Sequence, residues 1–168
     1  MTQEGAGEQK VLRVLFVCTG NTCRSPMAET LFRNVAAEHL MCSSWQLRDF
    51  GVDVFSAGVA AWGNSPASAE AVDVMKDRGL DLSQHLSRQV TPEMIAQSSI
   101  ILALTQRHRD ALLQLSPADA ERIFLLSIDG TDIADPIGGS AWEYQQCAEE
   151  ISGHIQEWVR KLLSKKVE

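Results

Sequence analysis

Apolar positions along this chain switch between two periods. Residues 11–17 (VLRVLFV) form a near-continuous β-rich run, the mark of a strand covered on both faces. After a polar stretch, Met27, Leu31, Val35 and Leu40 recur at helical spacing, with Pro26 in the first turn, where its missing N–H costs nothing. Residues 52–55 (VDVF) predict a short second strand, and Ser56-Ala57-Gly58 is expected to turn the chain away from it. Ser65-Pro66 then opens a helix through Arg78, which Gly79 stops. Thr91-Pro92-Glu93 predicts a capped helix to Gln97, residues 99–104 (SIILAL) a third strand, 106–115 a helix, and 122–126 (RIFLL) a last strand. A helix over 140–163 closes the pattern, with Trp142, Cys147, Ile151, His154, Ile155, Trp158 and Leu162 on or near one stripe. Strands separated by helices predict right-handed crossovers and a parallel sheet with helices on both faces, a single α/β domain over 11–168.

At 168 residues, 45% of them apolar, the chain is long enough to bury a core without a metal or disulfide staple. Residues 1–10 are polar and Gly-containing, and lack the basic cluster and apolar core of a secretory signal; they are expected to form a flexible tail. No run approaches the ~20 apolar residues that span a bilayer. Fifteen Lys and Arg against 22 Asp and Glu give a net charge of −7. That balance argues against nucleic acid and anionic membranes as partners, and requires any anionic substrate to be captured by local chemistry. Cys18, Cys23, Cys42 and Cys147 are too few and too irregular for a disulfide framework, so a reducing, cytoplasmic setting is expected; the chain is separately expected to be a monomer.

In open parallel sheets, ligands bind beyond the carboxyl ends of the strands, at helix N-termini. Residues 18–25 (CTGNTCRS) occupy that place after the first strand. The N–H groups of Thr19, Gly20, Asn21, Thr22, Cys23 and Arg24 can curl into an anion nest, with the following helix adding positive potential. Gly20 is expected to supply a backbone conformation barred to most residues, and Asn21 is the next most tolerant of a left-handed one. Arg24 can grip two phosphoryl oxygens with its planar fork. The amides, the guanidinium and the Ser25 hydroxyl all favour the thiolate form of Cys18, which is then placed for in-line attack on phosphorus and a phosphocysteine intermediate. Cys18-x4-Cys23 has no second Cys or His pair at zinc-finger spacing.

Residues 17–29 (VCTGNTCRSPMAE) resemble the signature of the low-molecular-weight protein tyrosine phosphatase family, Phe55-Ser-Ala-Gly58 resembles its second-strand turn, and Asp135-Pro136 its general-acid loop. The resemblance covers nearly the whole chain. It implies a three-layer domain with a four-stranded parallel sheet flanked by helices, hydrolysis without metal or cofactor, and catalytic roles for Cys18, Arg24 and Asp135. A carboxylic acid on a loop suits protonation of the leaving group, and Pro136 restricts Asp135 to extended backbone. Asp129 and Asp132 are rival acids that rank below Asp135 through the resemblance alone.

Tyrosine-directed members resemble one another in an aliphatic residue before the second loop cysteine and aromatics after Asp-Pro. Here Thr22 takes the first position, and Asp135-Pro-Ile-Gly-Gly-Ser140 has no aromatic until Trp142. That pattern, with Tyr144, is similar to the protein arginine phosphatase branch, and implies phosphoarginine proteins as substrates, with phosphotyrosine as the alternative. A Thr hydroxyl suits a guanidino group and removes apolar contact that a phenyl ring would want. Ile137 stands where that branch carries Phe; it can pack on the substrate but cannot stack. A thioredoxin-coupled arsenate reductase shares the loop but passes its disulfide to mid-chain cysteines, absent between Cys42 and Cys147. A phosphocysteine carrier passes the phosphoryl group on and needs neither Asp135 nor the Arg24 clamp, and an intact Cys18 beside Arg24 and Asp135 argues against a non-catalytic phosphopeptide-binding module. A reversible Cys18–Cys23 disulfide that protects the nucleophile is expected. Cys42 and Cys147 are read as packing residues, the four Trp as core and helix anchors, and His39, His85, His108 and His154 as solvated or satisfied histidines away from the signature.

Overall fold

The computed structural model describes residues 10–164; except for Lys10, the expected tail lies outside them. The sheet holds β1 (Leu12–Cys18), β2 (Val52–Gly58), β3 (Ile100–Ala103) and β4 (Ile123–Leu125), all parallel, in the order β2-β1-β3-β4. The helices are α1 (Arg24–Leu40), α2 (Ala69–Asp77), α3 (Pro92–Gln97), α4 (Gln106–Leu115) and α5 (Ala141–Leu163), with short 3-10 turns at Ser44–Gln46 and Pro117–Arg122.

Successive side chains of a strand point to opposite faces. Val14 and Phe16 therefore join Val54 and Leu102 beneath α1, α2 and α5, where Met27, Phe32, Met75, Ile151 and Ile155 are buried. Leu15 and Val17 face the other way, onto Ile95 of α3 and Leu112 of α4 with Ile101 and Ala103. Both faces of β1 are thus sealed, which is why its sequence reads as an unbroken apolar run. The chain leaves β1 for β2 on one side and returns for β3 on the other. The crevice at the carboxyl end of β1 lies at this switch point, between the turn into α1 and the turn into α4. Among the described residues no helix is long and apolar enough to cross a membrane.

Three sequence expectations need correction. First, Ser56-Ala57-Gly58 does not turn away: β2 continues through Gly58, in register with Phe16, Val17 and Cys18, so it runs alongside the crevice. Second, Ser65-Pro66 does not open α2. Ser65 exchanges bonds with the 85–88 segment, its N donating to Ser87 Oγ at 3.0 Å and its O accepting from Ser87 N at 2.8 Å, and Pro66 bridges Leu86. Those groups are spent, and the helix starts after Ser68, whose Oγ accepts from Ala71 N at 3.3 Å. Third, the tryptophans are not core anchors. Trp45, Trp62 and Trp142 are largely exposed, and only Trp158 is anchored, its Nε1 donating to Leu126 O at 2.8 Å. The buried stripe of α5 begins at Tyr144 and runs through Cys147, Ala148, Ile151, Ile155, Val159 and Leu163. Trp142 lies about 200° round the helix from Tyr144 and so faces out.

Candidate active site

Cys18 ends β1, buried, with its Sγ 2.9 Å from Ser25 Oγ in the first turn of α1. Ser25 Oγ also accepts from Asn21 Nδ2 at 2.8 Å, and its proton can go to the sulfur at 2.9 Å or to Ala57 O at the longer distance of 3.4 Å; a thiolate at Cys18 would draw it to the sulfur. Asn21 is fully buried at φ 56° and holds the loop together: Nδ2 also donates to Ser56 Oγ at 2.9 Å, and Oδ1 accepts from Arg88 N at 3.0 Å. The left-handed turn is therefore made at Asn21. Gly20 is not left-handed, contrary to expectation, because the side chain that repays the strain is the asparagine amide.

The carbonyls of the loop are turned outward and engaged. Cys18 O and Thr19 O accept from Val59 N and Ala60 N, each at 2.9 Å, and Thr22 O accepts from Ser68 N at 2.8 Å. The main-chain N–H groups of residues 19–23 make no hydrogen bond among the described residues, so they remain available as an anion nest. The strand extension makes this geometry possible: a Cβ on Gly58 would lie 2.3 Å from Thr19 O and 3.0 Å from Asn21 N. Thr22 is half-buried, with Oγ1 over Gly20.

Arg24 is buried at the base of α1. Its Nη1 donates to Ile133 O at 2.9 Å and its Nη2 lies 3.4 Å from Asp135 Oδ2. Ile133 N in turn donates to Leu104 O at 2.9 Å, which lays the loop before α5 across the end of β3 and brings Asp135 to the crevice. The Asp135 side chain is 43% exposed, and its Oδ1 accepts from Ile137 N at 3.1 Å. Ile137, 64% exposed, stands beside it. Of the rival acids, Asp132 accepts from Gln106 N at 2.8 Å and caps α4, while Asp129 is exposed in the Ser127–Gly130 turn.

Behind the loop, Cys23 and Cys147 are buried free thiols, as is Cys18. Burial pushes the Cys23 thiol up, with Cys147 and Asp135 adding to it, and burial pushes Cys147 up to about 12, so both stay protonated. Burial likewise raises the Tyr144 hydroxyl, which faces Cys23 and Ser68.

Two histidines do not lie away from the signature. His85 Nε2 bonds Asn21 O at 2.7 Å, and His108, 2% exposed, places Nε2 2.8 Å from Thr19 Oγ1. They sit 64 and 89 residues from their partners, beyond the reach of any local pattern. Ser56 and Arg88 were missed for the same reason. Burial, then the Arg24 charge and more weakly Arg107, lower His108 from 6.5 to about 4, against Asp132 and Asp135. The unfolded imidazole binds a proton that the folded one refuses. Stability from this group is full above about pH 6.5 and is lost as pH falls toward 4, by about 3 kcal/mol at most. Unfolding midpoints across that window should fall with pH in the wild type and fall less in His108→Gln.

The model of the low molecular weight phosphotyrosine protein phosphatase family matches residues 13–168. The chain belongs to that family. This phosphatase is 38% identical over 154 residues to the protein-arginine-phosphatase of Geobacillus stearothermophilus, covering 89% of this chain and 95% of the relative. It is 31% identical over 150 residues to a probable low molecular weight protein-tyrosine-phosphatase, EpsP, of Ralstonia nicotianae, covering 89% and 94%. Among solved structures, the YwlE arginine phosphatase from G. stearothermophilus superposes with a TM-score of 0.80 at 38% identity, over 93% of this chain and 96% of that one. The low molecular weight protein tyrosine phosphatase of T. tengcongensis gives 0.80 at 37%, over 90% and 99%. The protein is thus a protein phosphatase, a hydrolase.

Proposed function

We propose that this phosphatase hydrolyses phosphoarginine in proteins by way of phosphocysteine. The phosphoryl group sits in the N–H nest of Thr19, Gly20, Asn21, Thr22, Cys23 and Arg24, with the Arg24 fork on two of its oxygens. Ser25 donates to the Cys18 sulfur, which attacks phosphorus in line as the P–N bond breaks. An arriving phosphoryl dianion competes for the guanidinium edge that Asp135 occupies, 3.4 Å away, and its charge repels an ionised carboxylate. Displaced from the guanidinium, Asp135 takes up a proton from solvent as the dianion binds and passes it to the departing nitrogen. In the second step the same carboxylate takes a proton from water as that water attacks the phosphocysteine, releasing phosphate and restoring Cys18.

Thr22 carries the choice of substrate. Its side chain is half-buried over Gly20 on the wall of the loop, a hydroxyl where a phenol-binding pocket wants an aliphatic surface. Two relatives named protein-arginine-phosphatase, at 38% and 33% identity, support this reading. Hydrolysis of phosphotyrosine is the second reading, favoured by Ile137, which offers no aromatic face to a guanidinium, and by the tyrosine-phosphatase names of other relatives. The test compares kcat/KM for phosphoarginine and phosphotyrosine peptides in wild type and Thr22→Ile. The wild type should prefer phosphoarginine, and the substitution should move the ratio toward phosphotyrosine by about tenfold or more, as expected for exchanging a polar contact for an apolar one. An unchanged ratio removes Thr22 from the argument. The four free thiols suit a reducing compartment, and we place the enzyme in the cytoplasm.

A further inference from the structure

His108 has no part in the chemistry above, yet it is tied to the loop that performs it. Thr105 follows β3 after Leu104, and its Oγ1 accepts from His108 N at 3.2 Å to cap α4. Because β3 lies beside β1, this cap delivers the imidazole to the rim of the nucleophile loop. There the ring is 2% exposed, with Nε2 2.8 Å from Thr19 Oγ1, while Nδ1 is buried without a hydrogen-bond partner among the described residues. A leucine would fill the same space without an orphaned polar atom, so packing alone does not account for the residue.

The tautomer follows from that orphan. If Nδ1 carried the proton, the core would hold a donor with no acceptor, and orphaned donors are rarer than orphaned lone pairs. With the proton on Nε2, the ring donates to Thr19 Oγ1. The threonine is then held twice, by its main-chain O through Ala60 N at 2.9 Å and by its side chain through His108. Its hydroxyl accepts from the ring, so its own proton is left for another acceptor, and Thr19 is exposed at the mouth of the loop.

We infer that His108 is a positioning residue: its Nε2–H fixes the Thr19 hydroxyl so that this hydroxyl donates to an oxygen of the bound phosphoryl group. Arg24, Arg107, Asp132 and Asp135 are the charges that face the ring. The inference rests on the reading of the Cys18 loop as the phosphoryl site.

The test uses the full chain, an activated aryl phosphate as substrate and inorganic phosphate as competitive inhibitor. His108→Leu, His108→Gln, Thr19→Val and the double variant His108→Leu with Thr19→Val are compared. His108→Leu should keep or raise Tm, since it removes the orphaned nitrogen, yet lower kcat/KM about tenfold, the usual scale for one hydrogen bond to a charged group. The loss should fall on KM, with the Ki for phosphate rising in step. Gln, whose amide N–H reaches where Nε2 does, should recover most of it. Thr19→Val should lose as much as His108→Leu, and the double variant no more than either alone. Wild-type KM and Ki in His108→Leu, additive losses in the double variant, or a loss that tracks falling Tm would each overturn the inference. Should His108→Leu fail to fold, wild-type KM and Ki in Thr19→Val would overturn it alone. Cys18→Ser run alongside separates the two levels. If Cys18→Ser turns over at close to the wild-type rate, the phosphoryl-site reading itself has failed. If it is dead while the Thr19 and His108 variants behave as wild type, only the positioning role has.

Discussion

Cys18→Ser lowers kcat by at least about a thousandfold and leaves inorganic phosphate bound at close to wild-type affinity. The expectation follows from the separation of roles in the loop. Anion capture belongs to the amides of residues 19–23 and to Arg24, whose Nη1 is fixed on Ile133 O at 2.9 Å, and none of these depends on the sulfur. Bond-making belongs to Sγ, 2.9 Å from Ser25 Oγ. A serine hydroxyl in that position must lose a proton to attack, and its neighbours do not take one: Ser25 and Asn21 are neutral, the His108 ring is engaged with Thr19, and Asp135 must be protonated in this step to serve the leaving group. Losses of about 10³-fold or more are the rule when a covalent nucleophile is removed. Phosphate binding by isothermal titration beside steady-state kinetics separates the two effects. Retained turnover removes Cys18 from the mechanism, and lost phosphate binding shows that the substitution has disturbed the nest.

Asp135→Asn has the second largest effect, and its size depends on the leaving group. On a substrate whose leaving group must be protonated, kcat/KM, which reports the step that forms phosphocysteine, falls about 10²- to 10⁴-fold, the usual range for a positioned general acid. On an activated aryl phosphate, whose phenolate departs unaided, the first step is spared and the loss is smaller. The geometry supports Asp135 over its neighbours. It alone of the three loop aspartates pairs with Arg24, whereas Asp132 is spent on Gln106 N and Asp129 is exposed in a turn. An equal loss on both substrates would mean that the carboxylate serves only to hold Arg24. Asp132→Ala should affect stability through the lost bond to Gln106 N at the start of α4 and leave the leaving-group dependence intact.

The sequence was most informative where physics is local. The apolar run of β1, the Pro92 and Thr91 cap of α3, and α4 over Gln106–Leu115 were legible because periodicity and capping act within a few residues. Cys18, Arg24 and Ser25 were legible because one turn between strand and helix holds them all. What failed depended on partners distant in the chain. Ser56-Ala57-Gly58 looks like a turn until β1 is laid beside it, and Ser65-Pro66 looks like a helix start until the 85–88 segment takes its hydrogen bonds. His85, Arg88 and His108 reach the loop only through the sheet order. Trp142 was misassigned because a wide stripe on a long helix admits more than one facing. The burial of Tyr144, two positions on, decides it.

The central claim is that the phosphoryl group passes through the Cys18 sulfur. It is tested most directly by acid-quenching Asp135→Ala during turnover of an activated aryl phosphate and mapping the phosphoryl mass increment by peptide mass spectrometry. With the first step spared and water activation lost, phosphocysteine should accumulate, and the increment should lie on the peptide bearing Cys18. A phosphoryl group on any other residue would contradict the account. So would continued turnover with no phosphoryl increment on any peptide.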